Sequence, residues 1–270
     1  MFMKNQNYKL VGLVFSFFLF CFCSFSQSIV NTEKLFNSNE NGLVVVSELS
    51  GNLISGNNDL LKMDYSLNFS YQSEKNRLML LASGEHIRKN KDDDISNEIN
   101  GQLRYIYGFR EKIKFFSFLQ AQTAGSLLLN ERFLLGGGVR FNLLDKKIIS
   151  SKEQLFKLDF SCGVMQELEV LDNTTLPDFE DFTTNYTRSI FSVVSVLNLS
   201  DSINLINTTY CQQYVKELSD YRIFHEMNLV FSVNARLSLA LDFEYRFDSD
   251  PPSVLENSDY KTTIGFMFTL

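Results

Sequence analysis

One segment of the chain, LKMDYSLNFSYQ at residues 61–72, alternates without a break between apolar and polar side chains. A period of two is typical of a β-strand with one apolar face and one polar face. The segment is also roughly twice as long as the common strand of about 5–6 residues. A chain that repeats this pattern must form a tall sheet with an apolar environment on one side only.

The same alternation recurs along most of the chain and predicts an all-β fold of about twelve strands. We place them at residues 43–55, 59–72, 77–88, 95–108, 114–126, 133–143, 155–168, 184–199, 203–214, 221–234, 236–247 and 258–270. Turn-like segments such as SEKN at 73–76 and SDPP at 249–252 separate them. The 26 Phe and 11 Tyr agree with this prediction, because aromatic residues favour strands.

The N-terminus has the layout of a secretory signal peptide. Lys4 and Lys9 precede an apolar run at residues 10–25, and small residues at Ser24 and Ser26 precede Gln27. This order of charge, apolar core and small residues predicts cleavage after Ser26. Cleavage removes two of the 25 basic residues and none of the 32 acidic ones, so the formal charge moves from −7 to −9. Such an acidic exported chain is a poor candidate for binding nucleic acid.

Two architectures fit long alternating strands, and the export signal favours one of them. In a soluble barrel the apolar face points inward, whereas in a membrane barrel it points to lipid and the polar face lines the lumen. The predicted strands are long enough for a membrane barrel, since roughly 9–11 residues cross a bilayer on a tilt. The mean hydropathy of −0.08 excludes a helical membrane protein but not a barrel. We therefore predict a single up-and-down antiparallel transmembrane β-barrel at residues 43–270.

The lengths of the predicted connectors indicate how the barrel is oriented. Bacterial barrels have short periplasmic turns and longer external loops. If the first strand starts in the periplasm, most periplasmic turns are short, and the longer connectors at 169–183 and 248–257 are external. Residues 27–42 then form a flexible periplasmic segment, and the connector at 144–154 is unusually long for its side. With an even number of strands, both ends of the barrel emerge on the periplasmic side.

Three segments resemble a known family of Gram-negative outer-membrane proteins. They are RFLLGGGVRFNLL at 132–144, the ending DFEYRFDSDPPSVLENSDYKTTIGFMF at 242–268, and the turn SGNND at 55–59. The family is the DUF481-like one, a domain of unknown function sometimes called salt-induced outer-membrane protein. The resemblance implies a monomeric β-barrel in the outer membrane and brings no catalytic residues. Barrels of this kind commonly end in Phe, where this chain has Leu270.

The polar faces of the predicted strands carry charges of both signs, which we expect to point into the lumen. The basic set is Lys62, Arg104, Arg132, Arg140, Lys157, Arg188, Arg222, Arg246 and Lys261. The acidic set is Asp64, Glu85, Glu98, Asp159, Glu167, Glu226, Asp242, Glu244 and Asp259. These residues either line a narrow channel for small polar solutes or ions, or pair with one another and plug the barrel. The near-equal numbers of the two signs argue against strong ion selectivity.

Other features carry weaker functional signals, and we expect the protein not to be an enzyme. His86 and His225 lie on the outward phase without a serine placed to complete a triad. The acidic segments at 172–182 and 248–253 lack the spacing of a calcium loop, so we predict no metal site and no cofactor. Cys162 and Cys211 lie two strands apart, beyond disulfide reach.

The expected partners follow from the membrane prediction. They are outer-membrane lipid and lipopolysaccharide, and the barrel-assembly machinery during insertion after export through the Sec pathway. A soluble barrel with an apolar ligand inside stays open as an alternative, because the alternation alone does not say which face points inward.

Overall fold

Long alternating segments form twelve β-strands in the part of the chain that the structure describes. This computed structural model describes residues 41–54, 60–89, 93–147, 154–174, 176–177 and 181–270. The strands are β1 (Gly42–Ile54), β2 (Leu60–Ser73), β3 (Asn76–Lys89), β4 (Asp93–Arg110), β5 (Ile113–Ala124), β6 (Leu129–Lys147), β7 (Gln154–Leu171), β8 (Thr183–Ser200), β9 (Ile203–Tyr214), β10 (Tyr221–Ser232), β11 (Leu237–Asp248) and β12 (Ser258–Thr269). Each corresponds to one predicted strand. The predicted signal peptide at 1–26 and residues 27–40 lie outside the described part.

The strands close into one antiparallel up-and-down barrel. Each strand pairs with its neighbours in sequence, and β12 pairs with β1 over Val46–Thr269 to Ser50–Gly265. Leu270 continues this pairing, since its N–H donates to the Val45 carbonyl at 2.9 Å and its carbonyl accepts from the Val45 N–H at 3.0 Å. The predicted closure of the last strand against the first is therefore confirmed.

The orientation of the two faces decides between the two architectures. Apolar residues such as Leu135 and Ile264 are about 60% exposed on the outer surface. Arginine and glutamate side chains on the opposite phase of the same strands are buried inside the barrel. A soluble ligand-binding barrel requires the reverse arrangement, so the structure contradicts that alternative. Within the described residues, no helix combines the length and hydropathy needed to span a bilayer.

The two ends of the barrel differ in their connectors. The end that holds the start of β1 and the end of β12, here called the turn end, has connectors of only two residues after β2, β4 and β8. The opposite end, here called the loop end, carries the longer connectors 172–182 and 249–257. This asymmetry agrees with the predicted one.

The long connector predicted at 144–154 is shorter than predicted, because residues 144–147 and 154 belong to strands, and residues 148–153 lie outside the described part. β6 continues to Lys147 and β7 begins at Gln154. Register shifts between Asn142 and Leu144 and between Lys146 and Lys147 interrupt the alternation of β6. Because a bulge moves the following side chains to the other face, a strict period of two ends there although the strand continues.

An apolar layer inside the barrel was not predicted. It consists of three clusters of buried side chains: Val46, Met79, Leu81 and Ile106; Phe118, Leu134 and Met165; and Val194, Val196 and Ile206. Both faces of these strand segments are apolar, so alternation cannot show which residues point inward. The layer narrows the lumen below the charged residues of the loop end.

Glycines allow β6 and β7 to approach each other closely. A Cβ on Gly138 would lie 2.1 Å from the Cys162 carbonyl oxygen, and one on Gly163 would lie 2.3 Å from that of Gly137. At Gly136 a Cβ would lie 2.6 Å from the Phe118 ring, which covers this glycine from inside the lumen. Side chains at these positions would clash, so the glycines allow the close contact between β6 and β7.

Candidate lumenal site

All eighteen predicted lumenal residues lie on the inward phase of their strands, and all except Asp259, which is exposed near the start of β12, are buried or half-buried. They are Lys62, Asp64, Glu85, Glu98, Arg104, Arg132, Arg140, Lys157, Asp159, Glu167, Arg188, Arg222, Glu226, Asp242, Glu244, Arg246, Asp259 and Lys261. Most of them fall into three groups that differ in packing and in access to water. Two groups lie toward the loop end on opposite walls, and one lies near the turn end.

The first group, here called the arginine cluster, surrounds one glutamate on the wall formed by β6 to β11. Glu167 accepts hydrogen bonds from Arg132 Nε at 2.6 Å, Arg188 Nε at 2.7 Å and Arg222 Nη1 at 2.7 Å. Register brings them together, because β7 places Glu167 between β6 and β8, and the long Arg222 side chain reaches across from β10.

Three further carboxylates complete the arginine cluster. Asp220 binds Arg188 through two bonds of 2.6 and 3.0 Å, Asp248 binds Arg222 at 2.8 Å, and Glu169 lies 3.4 Å from Arg222. The Glu167 side chain has no exposed area and that of Arg132 is 1% exposed. Desolvated charges are stable only when they are paired and hydrogen-bonded, and this cluster meets both conditions.

The second group lines a cavity of about 170 Å³, here called the vestibule, on the wall formed by β1 to β5 and β10 to β12. Its charged lining residues are Glu48, Asp64, Glu85, Glu98, Glu226, Asp242, Glu244, Arg246 and Lys261. One water molecule needs only about 10–15 Å³ of such space, so the vestibule can hold several.

Charges in the vestibule are paired more loosely than those in the arginine cluster. Lys261 contacts Asp64 and Glu85, and Lys62 lies 3.1 Å from Glu85. Arg246 lies 3.3 Å from Glu98 and 3.4 Å from Glu244. The side chain of Lys261 is 21% exposed and that of Arg246 is 15% exposed. Water therefore reaches these pairs.

A row of amide side chains leads from the vestibule toward the turn end. Gln122 lines the vestibule and accepts a hydrogen bond from Gln120 at 3.2 Å, and Gln120 accepts one from Gln102 at 2.7 Å. Gln120 and Gln102 line a second cavity of about 50 Å³, here called the chamber.

The chamber is bounded toward the turn end by an arginine packed on aromatic rings. Arg104 Cζ lies 5.6 Å from the ring centre of Phe118 and 5.9 Å from that of Phe116, within cation–π range. All three residues line the chamber. The chamber is smaller than the vestibule, and these three residues of its lining are here called the constriction.

The third group lies near the turn end and is centred on Asp159. Its carboxylate accepts hydrogen bonds from Arg140 at 2.6 Å and Asn142 at 2.7 Å, and Lys157 Nζ lies 3.2 Å away. A third cavity of about 350 Å³, the mouth, lies at the same end. Its charged lining residues are Glu74, Lys75, Arg77, Arg110, Glu111 and Lys114.

Several lumenal residues were missed by sequence reasoning. Glu48 and Arg77 lie on the inward phase of predicted strands, so the alternation itself could have identified them. Glu169 was assigned to a connector because β7 is longer than its predicted segment, and Asp220 belongs to the connector after β9. A loop residue that folds back onto a buried arginine leaves no periodic signal.

The two histidines each lie within hydrogen-bond distance of a neutral side chain. His86 Nδ1 lies 2.6 Å from Asn97 Oδ1, and His225 Nδ1 lies 2.9 Å from Thr209 Oγ1. Cys162 and Cys211 are free.

The acidic segment at 248–253 contributes a carboxylate to the arginine cluster. Asp248 binds Arg222 in the arginine cluster. Next to it, burial raises the pKa of Asp250, and the neighbouring carboxylates Asp220 and Asp248 raise it further. No group of three or more His, Cys, Asp or Glu side chains within the described ranges is placed to hold a metal ion.

Solved structures resemble this barrel in fold at low sequence identity. An outer membrane channel from Pseudomonas putida F1 aligns with a TM-score of 0.50 and 9% identity, over 90% of this chain and 100% of that one. The NanC porin aligns with a TM-score of 0.48 and 10% identity, over 85% and 100% of the two chains. The translocator domain of the autotransporter NalP from Neisseria meningitidis aligns at 0.48 and 7% identity, over 97% of each chain.

The channel from P. putida, with the highest of these three scores, supports the outer-membrane type of barrel fold. None of the curated protein sequences matches the chain. The model of one family, described as "Protein of unknown function, DUF481", matches residues 47–270, which is nearly the whole barrel. The chain therefore belongs to the DUF481 family.

Proposed function

We propose that the protein is an outer-membrane channel that passes small polar solutes or ions through a narrow lumen. The observation that carries this proposal is the row of three cavities along one wall. Glu98 and Asn100 line the vestibule, Gln102, Arg104 and Ile106 line the chamber, and Ile106 and Gly108 line the mouth. These are the successive inward residues of β4, so the cavities follow one strand from the loop end to the turn end.

The membrane location rests on the outer surface of the barrel. Its exposed apolar side chains suit lipid, and a closed barrel satisfies its backbone hydrogen bonds internally, as the bilayer requires. We place the turn end in the periplasm and the loop end outside a Gram-negative cell, where its longer connectors meet lipopolysaccharide. Closure also leaves no free edge strand for pairing with a second copy, which supports a monomer. Export through the Sec pathway and insertion by the assembly machinery remain predictions.

The constriction sets the expected size of the conductance. The chamber holds about 50 Å³, and aromatic side chains at a narrow point resist the passage of water and ions. We expect a small unitary conductance, well below that of an open porin.

Recording from the purified, refolded protein in planar lipid bilayers tests the proposal. We expect discrete conductance steps, and the variant Phe118→Ala should raise the step size about twofold or more because it widens the constriction. Phe115→Ala is the matched control, since Phe115 lies on the same strand but is 43% exposed on the outer surface. It should leave the step size unchanged.

A second candidate is a closed barrel with a structural role in the envelope. The arginine cluster and the apolar layer favour it, because together they place tightly packed side chains inside the lumen on β5 to β10. A barrel that shows heat-modifiable migration, and so is folded, but never conducts would support this candidate and reject the channel.

A further inference from the structure

Charges of the two signs are separated along the lumen. The described residues that line the vestibule include seven carboxylates and two basic side chains, Arg246 and Lys261. The mouth has the opposite excess, with four basic side chains and two carboxylates. Counting the charges over the whole lumen hides this separation. The count made from the sequence has near-equal numbers of the two signs and therefore predicted little ion selectivity. The loop-end half presents a local excess of negative charge to any solute that enters it.

Lys261 shows which chemical group the vestibule accommodates. Its ammonium contacts both Asp64 and Glu85, which lie opposite each other on β2 and β3. An amine supplied by the chain is thus held between two carboxylates in a cavity that water can enter. Five more carboxylates line the same space, so the carboxylates outnumber the two basic lining residues and Lys62, which pairs with Glu85.

An acceptor inside the same cavity gives an independent indication. Asn100 lines the vestibule and is 8% exposed. Its Nδ2 donates to Ser83 Oγ at 3.5 Å, whereas its buried Oδ1 has no hydrogen-bond partner. A buried amide oxygen without a donor is costly, and a ligand with N–H groups would satisfy it.

We propose that the vestibule is a binding site for small organic ammonium cations. The carboxylates supply charge complementarity, Asn100 supplies a neutral acceptor, and the volume admits a short alkylamine in place of several waters. An ammonium with several N–H donors suits these dispersed acceptors, whereas a bare metal ion needs ligands converging on one point. The site does not require that the barrel conduct, so it can hold even if the proposed channel function fails.

Isothermal titration of the detergent-folded barrel with putrescine, a short diamine, tests this proposal. We expect saturable binding that weakens as salt concentration rises, because the attraction is screened. Butanediol is the matched neutral probe and should not bind. Equal binding of butanediol, no binding of putrescine, or binding of magnesium chloride in its place would each overturn the proposal. None of these comparisons requires a variant or a conducting channel.

Variants of the vestibule sharpen the result. Lys261→Met removes the chain's own ammonium and releases Asp64 and Glu85, so putrescine should bind about threefold more tightly or better. The double variant Glu226→Gln and Asp242→Asn removes two negative charges and should weaken binding about tenfold, equivalent to ~1.4 kcal/mol. Glu111→Gln, at the mouth, is the control and should change affinity by less than about twofold. If Lys261→Met weakens binding in a folded barrel, the assignment of the site is wrong.

Discussion

The arginine cluster and the vestibule are built from the same residue types but differ in access to water. In the arginine cluster, three guanidinium groups share Glu167, whose side chain has no exposed area. In the vestibule, the basic side chains of Lys261 and Arg246 are 21% and 15% exposed, and a cavity of about 170 Å³ lies beside them.

This difference in access to water bears both on stability and on the proposed binding of a solute. Charges that are packed against one another with no space between them can only hold the wall together. Charges of the same kind beside an open space can also meet a solute. Ion pairs are stronger where water is excluded than where water enters. The same type of substitution should therefore lower the free energy of unfolding more in the arginine cluster than in the vestibule.

The largest effect is expected from Glu167→Gln. This substitution removes the shared partner of three buried arginines, and breaking a buried ion pair costs about 3–5 kcal/mol. The free energy of unfolding should fall by that amount in urea titrations in detergent. Because the chain has no Trp, far-UV circular dichroism is the suitable signal. Glu131→Gln, an exposed position on β6, serves as the control and should have little effect. Equal stability of the two variants would show that the cluster is not structural.

A paired substitution compares the two regions directly. Arg222→Gln loses contacts to Glu167, Glu169 and Asp248, whereas Arg246→Gln loses two longer contacts that water reaches. We expect the first to lower the free energy of unfolding by about 2–4 kcal/mol and the second by about 1 kcal/mol or less. The same urea titration measures both. If the order is reversed, the vestibule rather than the arginine cluster stabilises the barrel.

A smaller effect on the free energy of unfolding is expected at the close contact between β6 and β7, in the wall that carries the arginine cluster. Gly138→Ala would place a Cβ 2.1 Å from the Cys162 carbonyl oxygen, forcing β6 and β7 apart. Overpacking of this kind costs about 1–3 kcal/mol. Gly101→Ala is the matched control, because a Cβ there meets nothing within 4 Å. A fall in unfolding free energy for both variants would point to the loss of glycine itself and not to close approach of the strands.

Much of the fold could be predicted because the relevant signal is local. Successive side chains of a strand point to opposite faces, so the alternation in LKMDYSLNFSYQ at 61–72 reveals a strand with two unlike faces without knowledge of its partners. The positions of the twelve strands and the grouping of the charged residues on one face follow from this property.

The candidate site was predicted only as a set of residues, not as separate groups. Arg222 and Glu167 are 55 positions apart in sequence, and Arg246 and Glu98 are 148 apart. Whether two such residues meet depends on the register of every strand between them and on the curvature of the wall. An amino-acid pattern with a period of two contains neither quantity.

By itself, the sequence determined an antiparallel β-architecture of twelve long strands with charged residues on one face and apolar residues on the other. Tertiary structure alone decided that the charged face points inward, that Glu167 is sealed among arginines, and that Lys261 lies beside an open cavity. The physical reason is the distance along the chain over which each property is set. Side-chain alternation is set by the geometry of neighbouring residues, whereas burial and pairing depend on side chains brought together only when the barrel closes.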